Sequence, residues 1–421
     1  MAEFLQCRWE SSMDRGALSR RDRSAGTFHA YLPDPLSDRT FVLDGATSAD
    51  VSDAEIAIAR LERDAIALSD TEVLSRLLLR AEAVASSRIE GLEIGARRLL
   101  RAEAAVAFEQ EPTDVTAVEV LANIDAMAAG VRSIGRGQDV TVELLTDVHR
   151  RLMSGTRLEF HAGRFREQQN WIGGSAYNPR SAVYVPPPAS HVEELMADLI
   201  AFVNTDDLPA VAQAAIAHAQ FETIHPFVDG NGRTGRVLIH LVLRRRGLSE
   251  RVIAPVSLVL ATETRSYIDG LTGFRHLGSA DSAAAVDGVN TWIGRFAAAC
   301  TRAVSDAMIF EARTAELVSR WRARLAPVRA DSAAALLLPQ LVGAPIVTAA
   351  TAAALLDRSF PTANTAIDRL VRAGILRQVT VGRRNRAFEA PEVFEAFSAL
   401  ERCLASPTGE THAVQRPVPR R

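Results

Sequence analysis

The chain has no lysine: all 48 of its Lys and Arg residues are arginine. Schiff-base chemistry and a lysine-bearing P-loop are therefore excluded, because each needs an ammonium side chain. Cysteine is scarce. Cys7, Cys300 and Cys403 lie far apart with no C-x-x-C pair, so zinc ribbons and disulfide scaffolds are not supported, and a reducing cytoplasm fits. No run of 18 apolar residues occurs, and the N-terminal MAEFLQCRWE is charged and lacks an apolar core, so neither a membrane span nor a secretory leader is expected. Charge of one sign is lacking too: 48 basic against 51 acidic residues leave a net charge of -3, so any basic patch must be local.

What is present is an ordinary globular composition: 421 residues, 48% hydrophobic, 24% charged, with a mean hydropathy of +0.03. That length predicts two to four domains with ample core. Residues 1–50 mix Arg, Asp, Pro and Ser and read as an irregular arm. Residues 51–135 carry apolar positions at helical spacing, such as Ile56, Ile58, Leu61 and Ile66. Helical periodicity returns over 192–203, 210–223, 234–246 and, as the last helices of a central body spanning 136–330, over 283–325. Between Phe160 and Pro188 the stretches GRFREQQNWIGG and SAVYVPPP read as an ordered loop with a small hairpin. Residues 331–404 give helix, helix with Gly374 as its stop, strand, Arg-rich turn and strand, the order of a winged helix-turn-helix. Residues 405–421 read as a frayed tail. The expected fold class is mainly α.

One segment carries chemistry, FETIHPFVDGNGRTGR from Phe221 to Arg236. Pro226 disfavours helical geometry at the residue before it, so His225 stands at a helix end. Gly230, Asn231 and Gly232 can adopt dihedrals closed to bulky side chains and aim successive N–H groups into one concavity. A helix starting near Arg233 adds its dipole to that phosphate cradle. Arg233 and Arg236, three apart, share a face and suit a polyphosphate. Asp229 is a hard oxygen ligand suited to Mg²⁺ held together with substrate phosphates, and His225 is fit to accept a proton from a hydroxyl.

This stretch resembles the signature of the Fic family, H-P-F-x-D-G-N-G-R-x-G-R, with all ten specified positions present from His225 to Arg236. The resemblance implies adenylyl transfer: AMP moves from ATP, with Mg²⁺, to a Ser, Thr or Tyr hydroxyl of a target protein. It makes His225 the base, Asp229 the metal ligand, Gly230, Asn231 and Gly232 an anion hole, and Arg233 and Arg236 phosphate ligands, with Phe227 an apolar anchor. Ser181, Ala182, Val183, Tyr184 and Val185 resemble the family's flap, whose edge pairs with the target backbone.

Upstream, Ser86-Ser87-Arg88-Ile89-Glu90-Gly91 matches the family's inhibitory pattern [ST]-x-x-x-E-[GN] at Ser86, Glu90 and Gly91. The implied brake is Glu90 paired with Arg236 in place of the γ-phosphate, in the same chain. Removal of AMP with the help of Glu90, and a DNA-binding regulator with a nucleotide-sensing core, remain alternatives. Candidate DNA contacts are Arg369, Arg372, Arg383, Arg384 and Arg386; a second copy of the chain is a further candidate partner, and a membrane is not. His149, His218 and His240 fall in helical patterns and read as structural.

Overall fold

The structure, a computed structural model, describes residues 1–10, 19, 22–37, 39–67, 71–107, 112–325, 328–381 and 385–396. Arg383, Arg384, Cys403 and the expected tail at 405–421 lie outside the described residues. The fold is mainly helical, as the periodicity predicts. Fourteen described α-helices follow in order: α1 (Gly45–Ala67), α2 (Thr71–Ile89), α3 (Ala96–Ala107), α4 (Val115–Arg132), α5 (Val142–Met153), α6 (Val192–Val203), α7 (Ala210–Ile224), α8 (Asn231–Arg245), α9 (Val256–Thr262), α10 (Thr264–Phe274), α11 (Ala283–Leu325), α12 (Ala333–Gly343), α13 (Ala349–Leu356) and α14 (Phe360–Arg372). Five short strands, β1 (Glu3–Trp9), β2 (Gly26–Leu32), β3 (Ile346–Val347), β4 (Arg377–Val381) and β5 (Asn385–Glu389), form two antiparallel sheets. No helix among the described residues is long and apolar enough to cross a membrane.

The chain divides into two compact units: residues 1–55, 126–248 and 264–297, and residues 56–125, 249–263 and 298–421. At the centre of the first lies α7. All of its 15 residues are buried, and six are alanine, so it has no polar stripe and lets its neighbours approach closely. Where α8 crosses it the helices nearly touch: a Cβ on Gly235 would sit 2.9 Å from Glu222 Oε1 and Phe221 Cδ1. Gln213 fastens the start of α7 to the chain leaving α6, donating to the carbonyls of Phe202 and Thr205 at 3.0 and 2.8 Å. These contacts fix the α7–α8 corner, the place where the signature turn sits.

The expected irregular arm is instead a hairpin. β1 pairs with β2 from Glu3↔Leu32 to Trp9↔Gly26, and α1 begins at Gly45. Leu5, Cys7 and Trp9 alternate on its inner face opposite Phe28 and Ala30, a period of two. Over 172–184 the expected flap hairpin is reduced to one antiparallel bridge, Ile172↔Tyr184, next to a 3-10 turn at Pro179–Ser181. The long 283–325 stretch is one 43-residue helix, α11.

The second unit closes around Phe310, Trp321, Leu337, Leu341, Ile367, Leu370 and Phe388. Burying side chains of this size stabilises the fold by about 1.5–3 kcal/mol each. The helix, helix, strand, strand order expected here is present as α13, α14, β4 and β5, with β3 added at the far edge of β5. Gly374 stops α14 as expected, and Ile375 N–H returns to Leu370 O at 2.9 Å.

Candidate active site

The turn between α7 and α8 is built around two residues in left-handed backbone geometry. His225, at φ 51° and ψ 59°, caps α7 and donates its N–H to Phe221 O at 2.9 Å. A non-glycine residue there costs on the order of 1 kcal/mol and persists only when its surroundings hold it. Gly230, at φ 74°, leads into α8, and a Cβ on it would meet Leu152 Cδ2 at 3.0 Å. Of the three residues expected to need unusual dihedrals, only Gly230 has them. Asn231 and Gly232 already belong to α8, which starts two residues earlier than Arg233.

The holding groups are explicit. Arg166 is buried, and among the described residues it reaches no carboxylate but four backbone carbonyls: Nε donates to His225 O at 2.9 Å, and the terminal nitrogens to Gln168 O, Pro187 O and Ile224 O at 3.2, 2.5 and 3.3 Å. Burial pulls its pKa down to about 10. Asn170 Nδ2 donates to Phe227 O and His225 O at 3.0 and 3.3 Å. Asn231 spends its side chain inside the turn, accepting from Phe227 N–H at 2.8 Å and donating to Phe227 O at 2.9 Å. Only its backbone N–H is thus left to serve the cradle.

Below the turn lies His149. Its ring stacks on Phe227 with centroids 3.7 Å apart; Nδ1 accepts from Gly163 N–H at 2.9 Å and Nε2 meets Asp229 O at 3.0 Å. Since Nδ1 is an acceptor, Nε2 carries the proton and donates. Burial lowers the pKa of His149 to about 4, so the ring is neutral and holds a fixed tautomer. Phe227 is the expected anchor, fully buried, with Phe165 and Phe221 also against it.

The polar groups gather above this floor. His225 Nδ1 stands 3.8 Å from Glu222 Oε2, one helical turn earlier on α7. Asp229 is half-exposed, and its Oδ1 accepts from Gly230 N–H at 2.7 Å. Arg233 and Arg236 are only 4% and 1% exposed. Arg233 NH2 lies 4.0 Å from Asp229 Oδ2, but among the described residues Nε and NH1 of Arg233 meet no acceptor. A buried guanidinium with two unused donors is costly by itself, and an anion at the α8 N-terminus would satisfy it. Oxygen groups of the Asp229 kind suit a magnesium ion shared with phosphates.

Beside the turn runs the flap. Tyr184 turns inward and donates from its hydroxyl to Thr223 O at 2.7 Å, while Arg275 lies over its ring at 3.6 Å. Burial raises the pKa of Tyr184, so it stays a donor. Val183 is 86% exposed and Val185 is buried. Ser181 closes the 3-10 turn and Ala182 follows it.

Ser86, Glu90 and Gly91 belong to the second unit, at the end of α2. Ser86 is fully buried and Glu90 is exposed. Gly91, at φ 79°, takes the left-handed position that stops the helix: its N–H returns to Arg88 O at 3.0 Å, and Leu92 N–H to Ser87 O at 3.1 Å. That pair of bonds needs a residue without a Cβ penalty, which gives the glycine of the pattern its physical reason. Asn123 of α4 braces the same turn, donating to Ala83 O at 2.7 Å and Ser87 Oγ at 3.0 Å.

Sequence reasoning missed Arg166, Asn170 and Glu222, and read His149 as structural without its place beneath the turn. The first two lie in the GRFREQQN stretch, where nothing but tertiary contact reveals their task. His218, expected to be structural, is buried with Nε2 2.8 Å from Tyr267 Oη.

Comparison with known proteins agrees with this geometry. Residues 139–243 match the Fic/DOC family and residues 48–132 the Fic/DOC family N-terminal. These two segments carry the chain's likeness to the Fic/DOC family. It is 32% identical to the protein adenylyltransferase fic-1 of Caenorhabditis briggsae over 132 residues, which are 31% of this chain and 23% of the worm protein. With the protein adenylyltransferase Fic of Drosophila melanogaster it shares 34% identity over 118 residues, 27% of this chain and 22% of the fly protein. The match thus spans less than a quarter of the length of these curated relatives. A solved Fic family protein from Desulfovibrio desulfuricans G20 is similar in fold, with a TM-score of 0.50 and 22% identity, over 83% of this chain and 97% of that one.

Proposed function

We propose that the chain is a protein adenylyltransferase that moves AMP from ATP to a hydroxyl side chain of a target protein. The observation that carries this reading is the buried Arg233 guanidinium, with Nε and NH1 lacking an acceptor among the described residues, at the start of the helix that follows the His225 turn. In the reaction the target hydroxyl oxygen bonds to the α-phosphorus, the bond from that phosphorus to the bridging oxygen breaks, and pyrophosphate leaves. The hydroxyl proton passes to His225. Glu222, 3.8 Å from Nδ1, favours the imidazolium so formed and a tautomer whose other nitrogen is the base. Arg233 and the first N–H groups of α8 hold phosphate oxygens, and Arg236 orients the far end of the triphosphate. Asp229 would hold Mg²⁺ together with the phosphates; that ion would supply charge neutralisation on the triphosphate. The flap, from Ser181 to Val185, sets the register of the acceptor.

Glu90 acts as the brake in this reading, by competing with the γ-phosphate for Arg236. Misplacing the α-phosphate by about 1 Å costs on the order of 10²-fold in rate. The test is incubation with α-labelled ATP. Glu90→Gly is expected to label protein about 10²-fold faster than the parent chain, and Glu90→Gly/His225→Ala not at all. Equal labelling with and without His225 would sink the reading; label that follows the γ-phosphate instead would indicate a kinase.

The free thiols Cys7 and Cys300 suit a reducing, cytoplasmic setting. The described part of residues 331–404 fits a winged helix, and Arg369, Arg372 and Arg386 are exposed there. Contact with a DNA backbone through them predicts retention on DNA that weakens with salt and falls further in Arg369→Ala/Arg372→Ala.

A further inference from the structure

The flap by itself is a poor ruler for an acceptor. One bridge ties it to Ile172, through Ile172 N–H to Tyr184 O at 2.8 Å and the N–H groups of Val183 and Tyr184 to Ile172 O at 2.8 and 3.2 Å, and isolated two-stranded pairings are marginal in water. What braces it from outside is the N-terminal hairpin. Ser175 Oγ donates to Asp22 Oδ1 at 2.6 Å, Asn178 Nδ2 to Asp22 O at 3.3 Å, and Arg180 NH1 to Ser24 Oγ at 2.7 Å. A Cβ on Gly26 would come within 2.7 Å of Arg180 Nε, so the chain at the start of β2 lies directly against that side chain. Further along, Tyr31 N–H donates to Val185 O at 2.9 Å, and Trp9 meets Trp171 edge to face at 5.2 Å. Phe28, Ala30 and Val185 form one apolar cluster beneath.

We propose that the β1–β2 hairpin is a clasp that fixes the acceptor-docking edge of the flap, with Asp22 and Arg180 as positioning residues; this rests on the adenylyl-transfer reading. Val183 and Tyr184 both give their N–H to Ile172 O, and Tyr31 N–H takes the Val185 carbonyl, so an incoming segment meets β2 from Val185 onward. That favours acceptors presented on a short extended loop over long strands. Asp22 suits the task as a carboxylate with several acceptor sites: Oδ2 also accepts from Ser19 Oγ at 2.6 Å.

The test uses the full chain carrying Glu90→Gly, with and without Asp22→Ala/Arg180→Ala, and with Asp22→Asn, which keeps the Oδ1 acceptor. Expected are hydrogen exchange at residues 172–185 faster by about tenfold or more, an unchanged ATP titration midpoint, and protein labelling from α-labelled ATP about 10-fold lower. Asp22→Asn should restore most of the labelling. Unchanged exchange in the flap overturns the clasp, and so does faster exchange with undiminished labelling. A weakened ATP midpoint overturns it as well, since the effect would then be general. Should the double variant fold poorly, Arg180→Ala alone gives the same readouts. Failure of the adenylyl-transfer reading is recognised separately, because the Glu90→Gly parent would then carry no label while its flap exchange could still be compared.

Discussion

Two sets of arginines divide this chain. On α8, Arg233 and Arg236 are almost fully buried, and Arg233 keeps two donor nitrogens without acceptors among the described residues. On α14 and the β4–β5 hairpin, Arg369, Arg372, Arg377 and Arg386 are exposed, and acids stand close by: Arg377 pairs with Glu389, and Arg386 lies 3.9 Å from Asp368. In sequence both sets are clusters of one residue type. In water a guanidinium is satisfied at no cost, whereas a buried one is costly until something supplies oxygen atoms. Burial without a full set of partners, rather than abundance of arginine, is what marks a ligand site.

Arg166 supplies the third case, a buried guanidinium whose three nitrogens each find a carbonyl, and it should give the largest effect. Arg166→Leu leaves the carbonyls of Ile224, His225, Pro187 and Gln168 without that donor. At about 1–3 kcal/mol for each group left buried and unmet, the loss is on the order of 3–5 kcal/mol after relaxation. Urea unfolding measures it, and Arg166→Lys should recover little because an ammonium cannot span the fork. A loss under about 1 kcal/mol would mean that the left-handed His225 turn is held by other means.

Arg233 is predicted to behave in the opposite sense. Arg233→Met removes a buried charge that the ligand-free protein leaves under-satisfied, so its Tm should stay level or rise. ATP affinity should fall by about 10- to 10²-fold, the equivalent of one charge-assisted hydrogen bond at about 1.5–3 kcal/mol. Calorimetric titration with ATP decides it. The same change at Arg369 or Arg372 should leave ATP binding untouched, and if it does not, the comparison fails.

The two sets also explain what could be read in advance. Helices α6 and α7 match their expected limits because apolar periodicity and Pro209 and Pro226 mark them locally, and Gly374 announces the stop of α14. The signature turn is legible because ten specified residues fall together. The β1–β2 hairpin is not, since the strands are separated by 16 residues and no two-residue turn joins Trp9 to Gly26. Its alternation at Leu5, Cys7 and Trp9, with Gln6 and Arg8 between them, spans only three apolar positions. Arg166 and His149 act through contacts distant in the chain, His149 reaching the Asp229 carbonyl 80 residues away. Local pattern holds no trace of such pairings.

Buried histidines carry the contrast into pH dependence. Burial, with the Arg236 charge adding to it, pushes the pKa of His218 down to about 3. An unfolded chain binds that proton near pH 6.5, so between pH 6.5 and 3 the unfolded state holds more protons and stability falls as pH falls. One proton corresponds to about 1.4 kcal/mol per pH unit. His149, lowered to about 4, adds a second over the shorter window. His218→Gln should therefore flatten the dependence of unfolding free energy on pH from 6.5 downward by about one proton, whatever it does to stability at pH 8.

The smallest effect belongs to the exposed set. Arg386 and Asp368 are 3.9 Å apart with half-exposed side chains, so solvent already screens most of their attraction. Arg386→Ala should shift stability by no more than about 0.5 kcal/mol in urea unfolding at low salt, and raising salt should erase even that. The Arg386 guanidinium also lies 5.2 Å from the Phe388 ring centroid, a contact that Arg386→Lys would partly keep. If Arg386→Ala instead cost as much as Arg166→Leu, exposure could no longer serve to tell a solvated cation from one that the fold, or a ligand, must satisfy.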